Sequence, residues 1–239
     1  MTLAEDRTAM LAWLTGAATG GAAPASVGQK LTPAGAVMPY AGNTFICHIP
    51  QGPAHDALAE TAARLRAAAP AGAYAFLPPA SYHMTVFEGV TDRDRTGGRW
   101  PEDLDAALPV EAVTRAFLPR VAGLDLPVAI RVRPTGIFAG TTVQLTGATT
   151  ADEAALRAAR ETLCAATGIR RPDFADYRFH ITLAYLLRWL TPAEAAGMAD
   201  LCARLAAGLA DLQPEIALAG VEFCSFADMH AFPLVARLS

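Results

Sequence analysis

Apolar positions along the chain switch repeatedly between the helical period of 3.6 and the strand period of 2. Leu3 to Leu14 reads as a helix with Leu3, Met10, Leu11 and Leu14 on one side. Residues 15 to 43, rich in Gly, Ala, Pro and Thr, read as an extended connection. A strand is predicted at Thr44 to Ile49, and a helix at Pro53 to Ala69 with Leu58, Ala62, Leu65 and Ala69 near one face. Pro53 suits its first turn and Pro70 its end. An extended piece, Ala73 to Leu77, leads through Pro78 and Pro79 into a strand at Tyr82 to Val90. Residues 91 to 103 form a mobile polar loop in this reading, and Leu104 to Ala122 a helix. Val128 to Phe138 and Thr141 to Leu145 pair as a hairpin across Ala139-Gly140.

The second half repeats the alternation. A helix at Asp152 to Thr167 stops at Gly168, and Arg178 to Leu187 reads as a strand. The next helix starts after Thr191-Pro192, a capping residue followed by an N1 proline. Strand runs at Ile216 to Phe226 and Ala231 to Leu238 flank the turn Ala227 to His230. The pattern gives an α+β domain of two lobes over 41–239, preceded by a helix and extended segment over 1–40.

Composition narrows the partners. The chain has 239 residues, 53% apolar and 18% charged, which fits a globular domain with a substantial core. A formal net charge of −4 argues against long nucleic acid and leaves room for a small anionic ligand held by a local positive site. Cys47, Cys164, Cys202 and Cys224 sit in apolar runs without C-x-x-C or His spacing, so they read as reduced core residues of a cytoplasmic protein. Glu5 and Asp6 ahead of the alanine-rich start speak against a signal peptide, and no apolar run is long enough to span a membrane. Nothing in charge or composition asks for an oligomer, and a monomer is expected.

Two segments carry candidate chemistry: Tyr82-His83-Met84-Thr85-Val86-Phe87 and Phe179-His180-Ile181-Thr182-Leu183-Ala184. On a strand, His83 and Thr85 share one face while Met84 and Val86 take the other, and His180 and Thr182 behave alike. Each strand thus buries an apolar row and offers an imidazole and a hydroxyl. Imidazole titrates near ~6.5, so two of them supply the base and the acid that cleavage of a phosphodiester needs. Two threonine hydroxyls can donate to the non-bridging oxygens as charge develops. No metal or other cofactor is called for.

These paired strands resemble the two-histidine (2H) phosphoesterase superfamily, including its LigT-like cyclic phosphodiesterases. Both motifs match, at His83/Thr85 and His180/Thr182, and Val128 to Leu145 is similar to the family's intervening hairpin, with Gly136 and Phe138 at typical places. The resemblance covers roughly residues 40 to 238 and implies two pseudo-symmetric lobes of antiparallel sheet, outer helices and a central groove. It implies a metal-independent phosphoesterase acting on a cyclic phosphodiester: a 2′,3′-cyclic nucleotide, an RNA end or an ADP-ribose cyclic phosphate. A linear phosphodiesterase, an RNA-end ligase or a nucleotide-binding module without turnover are the alternatives. The leading 40 residues are extra and resemble an uncharacterised branch.

Substrate-binding candidates are fewer. Arg178, two residues before His180, is as much a groove phosphate ligand as a solvated strand-start arginine. Tyr40 and Asn43 are placed at the entrance, although Asn43 equally suits a turn after Gly42. Phe87 is a base-stacking candidate for which core packing is the plainer reading. Ser81 reads as a turn serine, Arg131 and Arg133 as surface, and His230 as an exposed turn residue. His48 and His55 have no identifiable partner. A regular strand puts Glu88 on the face opposite His83.

Overall fold

The computed structural model describes residues 3–17 and 19–238, with the side chains of residues 3–6 outside the description, Leu3 of the predicted apolar face among them. The helices are α1 (Leu3–Leu14), α2 (Pro53–Ala68), α3 (Val110–Val121), α4 (Thr150–Thr167) and α5 (Pro192–Leu212). The strands are β1 (Gly42–His48), β2 (Tyr74–Phe76), β3 (His83–Thr91), β4 (Ala129–Phe138), β5 (Thr142–Gly147), β6 (His180–Thr182), β7 (Ala184–Leu186), β8 (Ile216–Ala219), β9 (Glu222–Phe226) and β10 (Leu234–Arg237).

Local chemistry sets several boundaries. Thr149 and Asp152 make a reciprocal capping box at the start of α4, as Thr191 and Glu194 do for α5. Gly168 ends α4 in the left-handed conformation at φ 72°, where only glycine is free of steric cost. Helix α3 begins at Val110, six residues later than the sequence suggests, because Pro101 and Pro109 keep the intervening chain in turns. The predicted strand Arg178 to Leu187 is two short strands in different sheets. They part at Leu183, where the amides of Leu183 and Ala184 both donate to the Thr141 carbonyl at 2.7 and 3.1 Å. The run Ile216 to Phe226 likewise divides after Ala219 into β8 and β9.

Eight antiparallel strands form one curled sheet in the order β10-β9-β1-β3-β6-β5-β4-β8, a half-barrel, and β2 pairs with β7 in a small second sheet. The two histidine strands, β3 and β6, are neighbours at its middle. On one side lie β1, β9 and β10, and on the other β5, β4 and β8. The lobes are therefore not the two halves of the chain. The β4–β5 hairpin precedes β6 and joins it, while β9 and β10, from the chain's end, return to β1. Each histidine strand is buttressed by strands from the other half.

One sheet face packs on the helices, burying Met84, Val86, Ile181, Phe45 and Phe223 to 2% exposure or less. The N-terminal segment, predicted as an extended connection, is a run of turns folded onto the second lobe. Leu14 and Leu31 are buried, Ser26 Oγ donates to the Leu186 carbonyl at 2.9 Å, and Trp189 Nε1 donates to the Ala22 carbonyl at 2.6 Å. Among the described residues no helix is long and apolar enough to cross a membrane.

Candidate active site

The floor of the groove is the seam between β3 and β6. Met84 pairs antiparallel with Ile181, and both point into the core. Continuing that register by one residue each way sets His83 opposite Thr182 and Thr85 opposite His180. The imidazoles are then diagonal neighbours, a relation that spans about 7–8 Å between strands. That leaves space for one phosphorus with an imidazole on either side and a hydroxyl beside each. His83, Thr85, His180 and Thr182 all line one groove of about 540 Å³.

Both rings are held the same way. Nδ1 of His83 donates to the Ser81 carbonyl at 2.7 Å, and Nδ1 of His180 donates to the Arg178 carbonyl at 2.8 Å. With Nδ1 carrying the hydrogen, Nε2 of the neutral ring is left to exchange a proton with a ligand. Their surroundings differ. Phe232 covers His83 with ring centroids 4.1 Å apart, whereas His180 is more open beside Tyr177 at 6.1 Å. Burial pushes the His83 pKa down to about 4, and the nearby charges of His48, His180 and Lys30 add to this against the Ser81 hydrogen bond. His83 is consequently neutral at neutral pH.

Glu88 shares the groove with His83, contrary to the regular-strand expectation. The cause is a bulge. Thr85 pairs with Ile46 and Phe87 with Phe45, so Val86 has no partner of its own on β1 and the alternation inverts beyond it. Arg160, buried on α4, donates to the Val86 carbonyl at 2.7 Å and to the Phe174 carbonyl at 3.3 Å. Its guanidinium stacks 3.9 Å from the Tyr177 ring centre, and Tyr177 in turn donates to the Thr85 carbonyl at 3.3 Å. The bulge thus aims Thr85 and Glu88 into one groove, and Arg160 satisfies the carbonyl it exposes.

The inversion also overturns Phe87 as a stacking residue. It is 2% exposed and packs against Phe45 and Phe174 in the core. Asn43 borders the groove, but its amide is spent on structure: Nδ2 donates to Thr114 Oγ1 at 2.8 Å, and Oδ1 accepts from the Val90 amide at 3.0 Å. Only glycine fits at position 89, where a Cβ would lie 1.9 Å from that oxygen. Arg178 does not reach the groove. Strand β6 begins only at His180, so Arg178 falls outside its alternation and lines a separate concavity with Thr146, Glu153 and Arg157. Tyr40 does line the groove, stacked on Phe226.

Three groups escaped the sequence reading. Lys30, from the N-terminal segment, enters the groove between Tyr40 and Tyr185. Arg171 also lines it, 3.3 Å from Glu88 and donating to the Gly89 carbonyl at 2.9 Å. His48 has a partner after all, Glu222 at 2.5 Å. His48, Glu222 and Cys224 bring possible metal-ligand atoms within 4.8 Å of one another. Glu222 is also paired with Arg237 at 2.8 Å, so its charge is already matched without an ion.

A curled antiparallel sheet with His-x-Thr on each of its two central strands defines the two-histidine phosphoesterase class. The family model of a 2H phosphodiesterase, a domain of unknown function (DUF1868), matches residues 30–143, which include His83, Thr85 and Lys30. A conserved protein of unknown function from Agrobacterium tumefaciens is 30% identical, with a TM-score of 0.90 over 96% of this chain and 98% of that one. The chain belongs to the 2H phosphoesterase superfamily. It matches no curated protein.

Proposed function

We propose that this protein is a metal-independent phosphoesterase that hydrolyses a cyclic phosphodiester on a nucleotide or RNA end. The observation that carries the reading is the matched pair of Nδ1-to-carbonyl hydrogen bonds, which leaves two Nε2 atoms for one groove. His83, neutral at neutral pH, is the base: it takes a proton from water as the oxygen attacks phosphorus. His180 is the acid and protonates the ribose oxygen as its bond to phosphorus breaks, opening the ring to a monoester. Thr85 and Thr182 donate to the non-bridging oxygens, whose charge grows in the transition state. The arriving phosphate is anionic, so it favours the charged imidazolium of His83 and brings that low pKa nearer the working pH.

The test is turnover of 2′,3′-cyclic nucleotides with and without EDTA, in the wild type and in His83→Ala and His180→Ala. Turnover that survives chelation and is lost in both variants supports the reading. Chelator-sensitive turnover, or activity retained in either variant, refutes it.

A further inference from the structure

His180 stands at a junction of cavities. A second cavity, of about 410 Å³, adjoins the first, and both are lined by Lys30, Tyr40, His180, Thr182 and Tyr185. Its outer wall comes from the N-terminal part of the chain, with Trp13, Pro24 and Ser26, and it does not reach His83 or Thr85. A phosphorus held between His83 and His180 therefore has open groove on both sides. Each cavity alone is of small-ligand size.

Lys30 occupies the junction. Its ammonium lies 5.3 Å from the Tyr40 ring centre and 5.1 Å from that of Tyr185, a cation held between aromatic faces. Burial pulls its pKa down, but Tyr185, Tyr40 and Glu88 more than offset this and leave it raised, so the group keeps its charge. Among the described residues no carboxylate lies within ion-pair distance of it. The arginines lining the first cavity differ: Arg93 is paired with Asp92, Arg99 with Asp94 and Arg171 with Glu88. A shielded lysine normally has an anionic partner. Here the partner's place opens onto two cavities, which suits a phosphate oxygen.

We propose that Lys30 binds a second phosphate, so that the substrate is a nucleoside cyclic phosphodiester bearing a further phosphate, with its remaining arm lying along the N-terminal segment. The assignment rests on the phosphoesterase reading of His83 and His180. Lys30 lines both cavities, the one that holds His83 and Thr85 and the one that neither touches, so it can reach a phosphate beyond the scissile one. The scissile group already has two imidazoles and two hydroxyls. The N-terminal segment then completes the substrate site.

The experiment compares kcat/KM for adenosine 2′,3′-cyclic phosphate with that for the same compound carrying a 5′-phosphate or 5′-diphosphate. The full-length wild type, Lys30→Gln and Lys30→Arg are used, each checked for folding by circular dichroism. The wild type is expected to prefer a 5′-phosphorylated form by about tenfold or more, the worth of one charge-assisted contact. Lys30→Gln loses most of that preference through KM, and Lys30→Arg restores it. No preference in the wild type, or an equal loss on all three substrates in Lys30→Gln, overturns the assignment. If the wild type turns over none of them, the phosphoesterase reading fails separately. Calorimetry with ADP against adenosine then decides for Lys30: tighter ADP binding that Lys30→Gln abolishes supports the site, and equal binding overturns it.

Discussion

Replacing Phe232 by alanine isolates what holds His83 neutral. The Phe232 ring sits 4.1 Å from the imidazole and is itself 9% exposed, so it closes one face of His83 to water. Burial is the largest of the causes that bring the pKa from 6.5 to about 4, ahead of the charges of His48, His180 and Lys30. Truncation to alanine readmits water on that face and leaves the charges and the Ser81 hydrogen bond in place. The His83 pKa should rise by roughly one unit, about 1.4 kcal/mol of relief for the imidazolium. Phe232→Leu, which keeps an apolar cover, should move it much less. The readout is the pH titration of the imidazole carbon-bound protons by NMR, set beside the acid limb of kcat/KM, which reports the free enzyme's base. Stability gives a second check. Unfolded His83 takes its proton near 6.5 and folded His83 only near 4, so between those values the unfolded chain binds more protons and stability falls as pH falls. The full loss is about 3 kcal/mol below the folded pKa, and Phe232→Ala should shrink it while lowering stability at neutral pH by about 3 kcal/mol through lost packing. A wild-type His83 that titrates near its ordinary value, or a titration unmoved in Phe232→Ala, refutes the reasoning.

His83→Ala and His180→Ala should each lower kcat by about 10²–10⁴-fold without unfolding the chain, measured by initial rates and circular dichroism. Thr85→Val and Thr182→Val should cost roughly 10- to 1000-fold, falling on kcat more than on KM because the hydroxyls act on developing charge. Arg160→Met leaves the Val86 carbonyl buried without a donor and should lower unfolding stability by about 2–3 kcal/mol in a urea titration, with a fall in kcat as the bulge relaxes.

How much of this was legible in the sequence depends on how far each feature's cause lies along the chain. The His-x-Thr pairs were readable because strand alternation acts between immediate neighbours. Glu88 was not, because the bulge that turns it toward His83 is stabilised by Arg160, 74 residues away from Val86 on another element. Arg178 was misplaced because its strand is shorter than its apolar pattern: β6 begins only at His180, two residues further on. Lys30 has meaning only beside Tyr40 and Tyr185, and nothing local in Gln29-Lys30-Leu31 announces that company.

The two motifs read alike in sequence, His-Met-Thr and His-Ile-Thr, and they are alike in backbone, each ring tied to the carbonyl two residues before it. What separates them is what the rest of the chain brings over each one. The segment joining β9 to β10 lays Phe232 on His83, and the N-terminal segment brings Lys30 and Tyr40 to the cavities beside His180. A symmetric pair of imidazoles could carry either role in either direction. Covering one ring with an aromatic side chain and leaving the other open biases the empty site toward a neutral His83, which is why the base assignment follows from packing rather than from the motif. The same asymmetry makes the groove directional: Phe232 covers the ring of the base, and a second cavity adjoins the acid. A substrate that extends beyond its cyclic phosphate has room in the first cavity and further room, past His180, in the second.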